Sequence, residues 1–384
     1  MTKQDIHTQF VQHFAVEPKV SVKSPGRINI IGEHTDYNDG FVLPTAIDKA
    51  VYVAVSERDD DLIKLYAEDF KAFYESSLSS LAPTDAGWPN YILGVVNQFV
   101  EQGLPVRGFN LYIDGDVPLG AGLSSSAAVE CATGFALNVL FDLKLDRVAL
   151  AKIGQLAEHT FAGVKCGIMD QFASILSKAN HVVRLDCRDL SYSYEPLELG
   201  DYTLLLLNSN VKHSLASSAY NDRREACEQG VAWIQEKYPA VKSLRDAEQS
   251  MLTEILLPKD ETVYRKCKYV VEEVQRVQDA CAALHVGDLE EVGRLMYLTH
   301  AGLQHDYQVS CPEIDFLVEY VSHFPEVLGA RMMGGGFGGC TINIVHQSFV
   351  DLLIQRIAPA YKEKFNKDLE PIHVVPSNGT ELLT

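Results

Sequence analysis

The sequence predicts two α+β domains that meet near residue 200. Strand-like and helix-like stretches alternate in both halves, which favours mixed domains over an all-α or all-β fold. The length of 384 residues is sufficient for two domains of ordinary size. The pattern changes near Gly200, after which a continuous apolar strand precedes long amphipathic helices. We therefore expect one domain over residues 1–200 and a second over residues 201–384.

In the first half, turn and cap residues separate the predicted elements. A helix-like opening precedes the first strand, Pro44 and Asp59–Asp61 indicate turns, and Asp146 suits a helix N-cap. The helix that begins at Ser124 is rich in small residues, which would let it approach its neighbours closely. The predicted strands are Val20–Ile31, Val51–Val55, Phe109–Ile113 and Val182–Leu185, and the predicted helices are Trp88–Val100, Ser124–Phe141, Arg147–Phe161 and Asp170–Leu176.

The second half combines fewer strands with longer helices. We expect no internal repeat and no long linker, since neither leaves a trace in the sequence. The predicted strands are Tyr202–Leu207, Thr341–Val345 and Ile372–Val375, and the predicted helices cover residues 219–236, 262–285, 288–303 and 349–365.

The composition excludes several classes of protein. A formal net charge of −19 argues against nucleic acid or an anionic membrane as a partner, although a local nucleotide site needs only backbone N–H groups and a few cations. The eight cysteines are scattered, which is typical of a reducing compartment rather than of a zinc site or disulfide framework. Neither a secretory signal nor a membrane span is visible. We expect a cytoplasmic protein, and the sequence gives no sign of a protein partner.

The segment Gly26–Tyr37 concentrates hydrogen-bonding side chains where the first strand ends. Carboxylates accept hydrogen bonds, histidine and arginine donate them, and the hydroxyls of a sugar need both. A solvated junction between strand and loop would use the same residue types, so the pattern alone leaves both interpretations open. The polar side chains are Arg27, Asn29, Glu33, His34 and Asp36.

The segment Pro118–Ala128 places two glycines and three serines at the start of a helix. Backbone N–H groups and the positive end of the helix dipole make such a segment suitable for phosphate, although serines also commonly cap helices. A dinucleotide fold would need an acidic residue at the end of a second strand, and the candidate, Asp142, follows a helix instead. The motifs of P-loop enzymes and of protein kinases are missing from the sequence.

Three segments resemble the motifs of galactokinases, within the superfamily of galactokinase, homoserine, mevalonate and phosphomevalonate kinases. Gly26–Tyr37 is similar to the galactokinase signature, Pro118–Ala128 to the nucleotide loop, and Met333–Cys340 to a glycine-rich loop that packs against the nucleotide site. The implied N-terminal domain is like the second domain of a small ribosomal subunit protein, and the C-terminal domain is ferredoxin-like. The active site would lie in the cleft between them.

The resemblance implies transfer of phosphate from ATP to the anomeric hydroxyl of galactose, the first committed step of galactose catabolism, with Mg²⁺ present. Asp170 is implied as the base and Arg27 as its neighbour beside the transferring phosphoryl group. Since phosphoryl transfer is largely dissociative, Asp170 would position the hydroxyl and accept its proton late. Sugar ligands are implied at Glu33, His34, Thr35, Asp36 and Tyr220. ATP ligands are implied at Gly120, Ala121, Gly122, Leu123, Ser124, Ser125 and Ser126, and magnesium ligands at Ser126 and Glu158.

Several of these residues also have a plainer interpretation. Glu158 alone would be a surface carboxylate, Asp170 an N-cap and Tyr220 a packing residue. His213 is expected at the surface. Other functions stay open as well: a kinase of N-acetylgalactosamine or arabinose, or a galactose and ATP sensor without activity. Homoserine- and mevalonate-type kinases lack the Glu-His-Thr-Asp segment.

Overall fold

The computed structural model describes residues 1–118, 120–211 and 216–384, and leaves the side chains of residues 216–218 undescribed. His213, expected at the surface, lies outside the described residues. The strands are β1 (Val20–Asn29), β2 (Phe41–Val42), β3 (Pro44–Glu57), β4 (Leu62–Ala67), β5 (Ala72–Ser77), β6 (Phe109–Gly115), β7 (His181–Asp186), β8 (Tyr192–Pro196), β9 (Tyr202–Asn208), β10 (Val327–Met332), β11 (Cys340–His346), β12 (Glu370–Val374) and β13 (Glu381–Leu382).

These strands form three sheets. The first has six strands in the order β13-β1-β3-β6-β4-β5, and only β4 and β6 run parallel within it. The second has four strands in the order β10-β11-β9-β12, all antiparallel to their neighbours. A small sheet, β2-β7-β8, lies beside the first. The mixed layers confirm the predicted α+β class.

Helices cover the sheets in both halves. The helices are α1 (Lys3–Phe14), α2 (Pro89–Glu101), α3 (Ser125–Leu140), α4 (Arg147–Ala157), α5 (Met169–Leu176), α6 (Ala216–Gln235), α7 (Gln249–Met251), α8 (Glu261–His285), α9 (Leu289–Gly302), α10 (Pro312–Ser322) and α11 (Val350–Phe365). The small residues of α3 pack against β1 and β3, with Ala127, Ala128 and Ala132 fully buried. Asp146 accepts a hydrogen bond from the Ala149 N–H, which confirms the predicted N-cap.

The structure corrects several predicted elements. Pro44 begins β3 instead of marking a turn, a position where proline is tolerated because it needs no ladder N–H. The elements that were not predicted are β2, β4, β5, β8, β10, β13, α7 and α10. The helix expected to continue to Phe161 changes to a π-helical segment at Glu158–Ala162.

The two halves are joined more closely than a single boundary at residue 200 implies. Buried residues from both, including Ile28, Leu204 and Ile342, belong to one continuous hydrophobic core. The terminal strand β13 pairs with β1, so the last residues of the predicted 201–384 domain belong to the first sheet. Within the described ranges, every helix is too short or too polar to cross a bilayer.

Candidate active site

Arg27 and Asp170 form a bidentate ion pair at the cleft between the two halves. Arg27, on β1, donates from Nε to Asp170 Oδ1 and from Nη2 to Asp170 Oδ2, both at 2.9 Å. Its Nη1 donates to the carbonyl oxygen of Gly122 at 2.6 Å. The arginine is buried, whereas 27% of the Asp170 side chain is exposed. The pair therefore turns a fixed carboxylate toward the cleft, as the resemblance implied.

Residues 120–126 of the segment Pro118–Ala128, here called the phosphate loop, lie directly against this pair. The Ser124 hydroxyl donates to Asp170 Oδ2, and the backbone N–H of Arg27 donates to the Leu123 carbonyl at 3.1 Å. Ser124 does not cap α3 through its side chain, and its φ of 56° lies in the left-handed region. Such strain is typical of functional loops. The first backbone N–H groups of α3 start beside Asp170 and lack intrahelical acceptors.

Most of the predicted sugar and catalytic residues line one cavity of about 150 Å³, here called the cleft cavity. Asp36 reaches it from the loop after β1 and lies against Gly167, where a Cβ would come within 1.8 Å of Asp36 Oδ2. Burial and the neighbouring Asp170 raise the pKa of Asp36 to about 7. The predicted residues that line the cleft cavity are Arg27, Glu33, His34, Asp36, Glu158, Asp170 and Tyr220.

His34 and Tyr220 form an aromatic wall of the cleft cavity, with ring centroids 5.3 Å apart. His34 Nε2 is buried and has no hydrogen-bond partner among the described residues. Thr35, by contrast, donates from its hydroxyl to the carbonyl oxygens of Gly32 at 2.9 Å and Phe41 at 2.6 Å. These hydrogen bonds tie Thr35 to both sides of the loop between β1 and β2. Its predicted contact with sugar stays a prediction.

Glu33 is fixed by the second half of the chain. Its Oε1 accepts from Arg331 Nη2 at 3.0 Å and from the Gly334 N–H at 2.9 Å. Arg331 is fully buried and also donates to backbone carbonyls at the end of β1. Arg331 could not be predicted from the sequence, because its partners lie about 300 positions earlier in the chain. The glycine-rich loop also touches the phosphate loop, since a Cβ at Gly334 would lie 3.5 Å from the Gly122 oxygen.

Replacing Arg331 will destabilise the protein strongly. Arg331→Met leaves Glu33 as a buried carboxylate without its cation, and breaking a buried pair costs about 3–5 kcal/mol. Urea unfolding of Arg331→Met measures this loss. The matched control is Arg294→Met, which removes an exposed pair with Glu291 and should cost about 1 kcal/mol or less. Equal stability of the two variants would contradict the anchoring role of Arg331.

Ser126 and Glu158 supply two oxygens that fit a magnesium ion. The Ser126 hydroxyl lies 3.4 Å from Glu158 Oε1, and burial together with Asp170 raises the pKa of Glu158 to about 7. A bound cation would compensate such a carboxylate, and Mg²⁺ normally adds phosphate oxygens and water to one or two protein ligands. No group of three or more His, Cys, Asp or Glu side chains within the described ranges could hold a metal ion.

A glutamine that the sequence analysis missed orients Glu158. Gln171 Nε2 donates to Glu158 Oε2 and to Glu130 Oε2, each at 2.9 Å. Burial and the neighbouring Glu158 raise the pKa of Glu130 well above its usual range. Burial therefore favours the neutral form of Glu130, and Gln171 links α3 to the π-helical segment that carries Glu158.

A second cavity, of about 220 Å³, opens beside the phosphate loop and is here called the aromatic cavity. Phe70, Trp88 and Tyr91 line it, and the Phe70 and Trp88 rings are nearly parallel with centroids 6.1 Å apart. Ser125 and Ser126 also line it. Because Ser126 contacts Glu158, a wall residue of the cleft cavity, the two cavities are neighbours on either side of this contact.

Comparison with known proteins identifies the family. The model described as "Galactokinase galactose-binding signature" matches residues 8–57. The models "GHMP kinases N terminal domain" and "GHMP kinases C terminal" match residues 90–178 and 280–362. The galactokinase of Roseiflexus sp. (strain RS-1) is 41% identical, over 94% of this chain and 92% of its own. The chain belongs to the galactokinase family.

Solved structures agree with this galactokinase membership. Lactococcus lactis galactokinase, solved in complex with galactose, superposes with a TM-score of 0.94 at 33% identity, covering 98% of this chain and 99% of its own. The mevalonate kinase of Methanococcus jannaschii has a TM-score of 0.64 at 20% identity, covering 93% of this chain and 98% of its own. The second similarity shows a shared fold alone.

Proposed function

We infer that this chain is an ATP-dependent galactose kinase, which converts galactose and ATP to galactose 1-phosphate and ADP. The observation that carries this conclusion is the Arg27–Asp170 pair, which lies where the cleft cavity meets the phosphate loop. A sugar in the cleft cavity would place one hydroxyl at the exposed edge of Asp170. The phosphates of ATP, bound on the phosphate loop, would approach the same edge of Asp170.

Asp170 would orient the sugar hydroxyl and take its proton as the phosphoryl group arrives. Arg27 holds both carboxylate oxygens, so the carboxylate needs no reorientation during the reaction. Glu33, Asp36, His34 and Tyr220 would bind the remaining hydroxyls. This division of roles is supported by their position around one cavity.

The nucleotide would lie along the phosphate loop with its base in the aromatic cavity. Aromatic rings such as Phe70 and Trp88 suit stacking with a purine, and the N-terminus of α3 suits phosphate. Ser126 and Glu158 would hold Mg²⁺, which offsets the negative charge of the phosphates when it is bound. These assignments rest on the contact between Ser126, which lines the aromatic cavity, and Glu158, which lines the cleft cavity.

A coupled assay of ADP release across sugars tests the proposal. Galactose should give the highest kcat/KM, and glucose should be rejected, because a site built to bond an axial hydroxyl leaves buried partners unpaired with the epimer. N-acetylgalactosamine and arabinose are included as rival acceptors. Higher kcat/KM with either rival would overturn the assignment of galactose.

Galactose affinity will depend on the ionisation of Asp36. With a pKa of about 7, roughly one tenth of this carboxyl is ionised at pH 6, and the ionised form is the better acceptor for a hydroxyl. Binding then favours proton release, so the Kd for galactose should rise about tenfold from pH 8 to pH 6. Calorimetry of galactose binding, without nucleotide or metal, measures the Kd at each pH. Asp36→Asn should remove the dependence and Glu158→Gln should retain it; an unchanged slope in Asp36→Asn would assign the titration elsewhere.

A cytoplasmic location is proposed as well. All eight cysteines are free in the structure, and five of them are buried. Free thiols are typical of a reducing compartment.

A further inference from the structure

A chain of hydrogen bonds runs from the cleft cavity into the interior of the second half. His34 Nδ1 lies 2.7 Å from the Tyr37 hydroxyl, which lies 2.7 Å from the Tyr307 hydroxyl. The Tyr307 hydroxyl lies 3.4 Å from Cys227 Sγ. We call these four residues the relay. None of them except His34 was predicted to serve the site.

The relay joins separate elements, and three of its four residues are buried while Tyr37 is half-buried. His34 and Tyr37 lie in the loop after β1, Tyr307 ends the π-helical segment after α9, and Cys227 lies on α6. His34, Tyr307 and Cys227 are 4%, 0% and 1% exposed. The His34 backbone has a φ of 62°, and its carbonyl accepts from Asn38 Nδ2 at 2.9 Å. Water therefore has little access to the internal hydrogen bonds.

His34 is neutral at pH 7 and carries one ring proton. Burial and the nearby Arg223 lower the pKa of His34 to about 3, whereas a hydrogen bond with the Gly335 backbone raises it. The proton lies either on Nδ1, facing Tyr37, or on Nε2, the other nitrogen of a ring that lines the cleft cavity. The hydrogen bonds of the relay decide between the two tautomers.

The favoured direction runs outward, from Tyr307 to His34. A phenol is a better donor than acceptor, and an unprotonated imidazole nitrogen is a good acceptor. If Tyr307 donates to Tyr37 and Tyr37 donates to Nδ1, the bond to the histidine uses both preferences, whereas the bond between the two tyrosines has a phenol acceptor in either direction. The reverse direction would leave the Tyr307 O–H with the Cys227 sulfur, a weak acceptor at 3.4 Å.

We propose that Tyr37 and Tyr307 are positioning residues that hold His34 as the Nε2–H tautomer, so that His34 donates a hydrogen bond to an oxygen of the bound sugar. The inference rests on the proposed function for the identity of the ligand. It assigns a partner to Nε2, the buried atom that lacks one in the described part of the chain.

The neighbouring groups explain why the site needs this donor. Glu33 and Asp36 offer carboxylate oxygens, which accept from sugar hydroxyls, and the Arg27 guanidinium is already engaged by Asp170 and Gly122. Each sugar hydroxyl both donates and accepts. A donor on His34 balances the acceptors, whereas the other tautomer would add a further acceptor.

Nitrogen NMR of the histidine-labelled full chain tests the tautomer directly. At pH 7, without ligand, the His34 signals should show an unprotonated Nδ1 and a protonated Nε2; His34→Gln identifies them among the twelve histidines. A protonated Nδ1 in the wild type would overturn the proposal. This spectrum needs no sugar, so a chain that fails to phosphorylate galactose refutes the proposed function separately.

Tyr37→Phe tests the link between the tautomer and the substrate. This variant should show mixed His34 tautomers and a galactose KM raised about tenfold, with kcat changed less than about threefold. Tyr307→Phe should have a smaller effect, because Tyr37 still donates. Tyr361→Phe removes another buried hydroxyl, bonded to the Ser209 carbonyl, and should leave both readouts unchanged. A folded Tyr37→Phe with wild-type tautomer and KM would overturn the proposal; if it does not fold, the wild-type spectrum and Tyr307→Phe decide.

Discussion

Asp170→Asn will lower kcat by about a thousandfold, in the middle of the range for loss of a general base. The amide keeps the shape of the carboxylate and can still accept one hydrogen bond from Arg27. It cannot take the sugar proton, and it replaces one acceptor of the arginine fork by a donor. The KM for galactose should change much less than kcat, since the other sugar contacts remain.

The control for this prediction is Asp146→Asn, at the exposed N-cap of α4. It changes the same functional group far from the cleft and should leave kcat unaltered. ADP release at saturating galactose and ATP gives both values. Turnover of Asp170→Asn within a few-fold of the wild type would show that Asp170 is not the base.

Arg27→Lys will lower kcat/KM by about a hundredfold or more. The arginine makes three directed hydrogen bonds, two to Asp170 and one to the Gly122 carbonyl. A lysine keeps the charge but cannot reproduce the planar fork, and loss of one preorganised donor at a reacting centre costs about 100-fold to 1,000-fold. The expected defect is therefore catalytic even where the ion pair survives.

A second lysine variant separates charge geometry from general stability. Arg294→Lys lies in an exposed pair with Glu291 and should behave as the wild type. Steady-state kinetics of both variants, together with their melting temperatures, make the comparison. If Arg27→Lys retains kcat/KM within a few-fold, the fork is not required for transfer.

The fold could be predicted where local pattern decides structure. A few neighbouring residues are enough to predict the apolar strand β9, the small-residue face of α3 and the cap at Asp146. The edge strand β5 could not be predicted, because its half-exposed, polar sequence is a strand only through pairing with β4. Likewise β13 has two residues and depends on β1, about 360 positions earlier.

The residues of the candidate site also differ in whether a local pattern was enough to predict them. Residues within a motif, such as Arg27, Asp36 and Ser126, could be named from the sequence because their neighbours carry the resemblance. Arg331 and Tyr307 could not, since each acts through a partner hundreds of positions away. The predicted roles of the motif residues rest on chemistry that variants must test, whereas their placement around two neighbouring cavities is a structural observation.

Phosphorus NMR of the reaction products tests the central claim most directly. Wild-type protein mixed with galactose, ATP and Mg²⁺ should yield ADP and a phosphate ester on the anomeric carbon of galactose, and Asp170→Asn at the same enzyme concentration should form both about a thousandfold more slowly. Binding of galactose and ATP by the wild type without any phosphate ester would contradict the claim and indicate a sensor. A phosphate ester on another hydroxyl would contradict the placement of Asp170 beside the anomeric position.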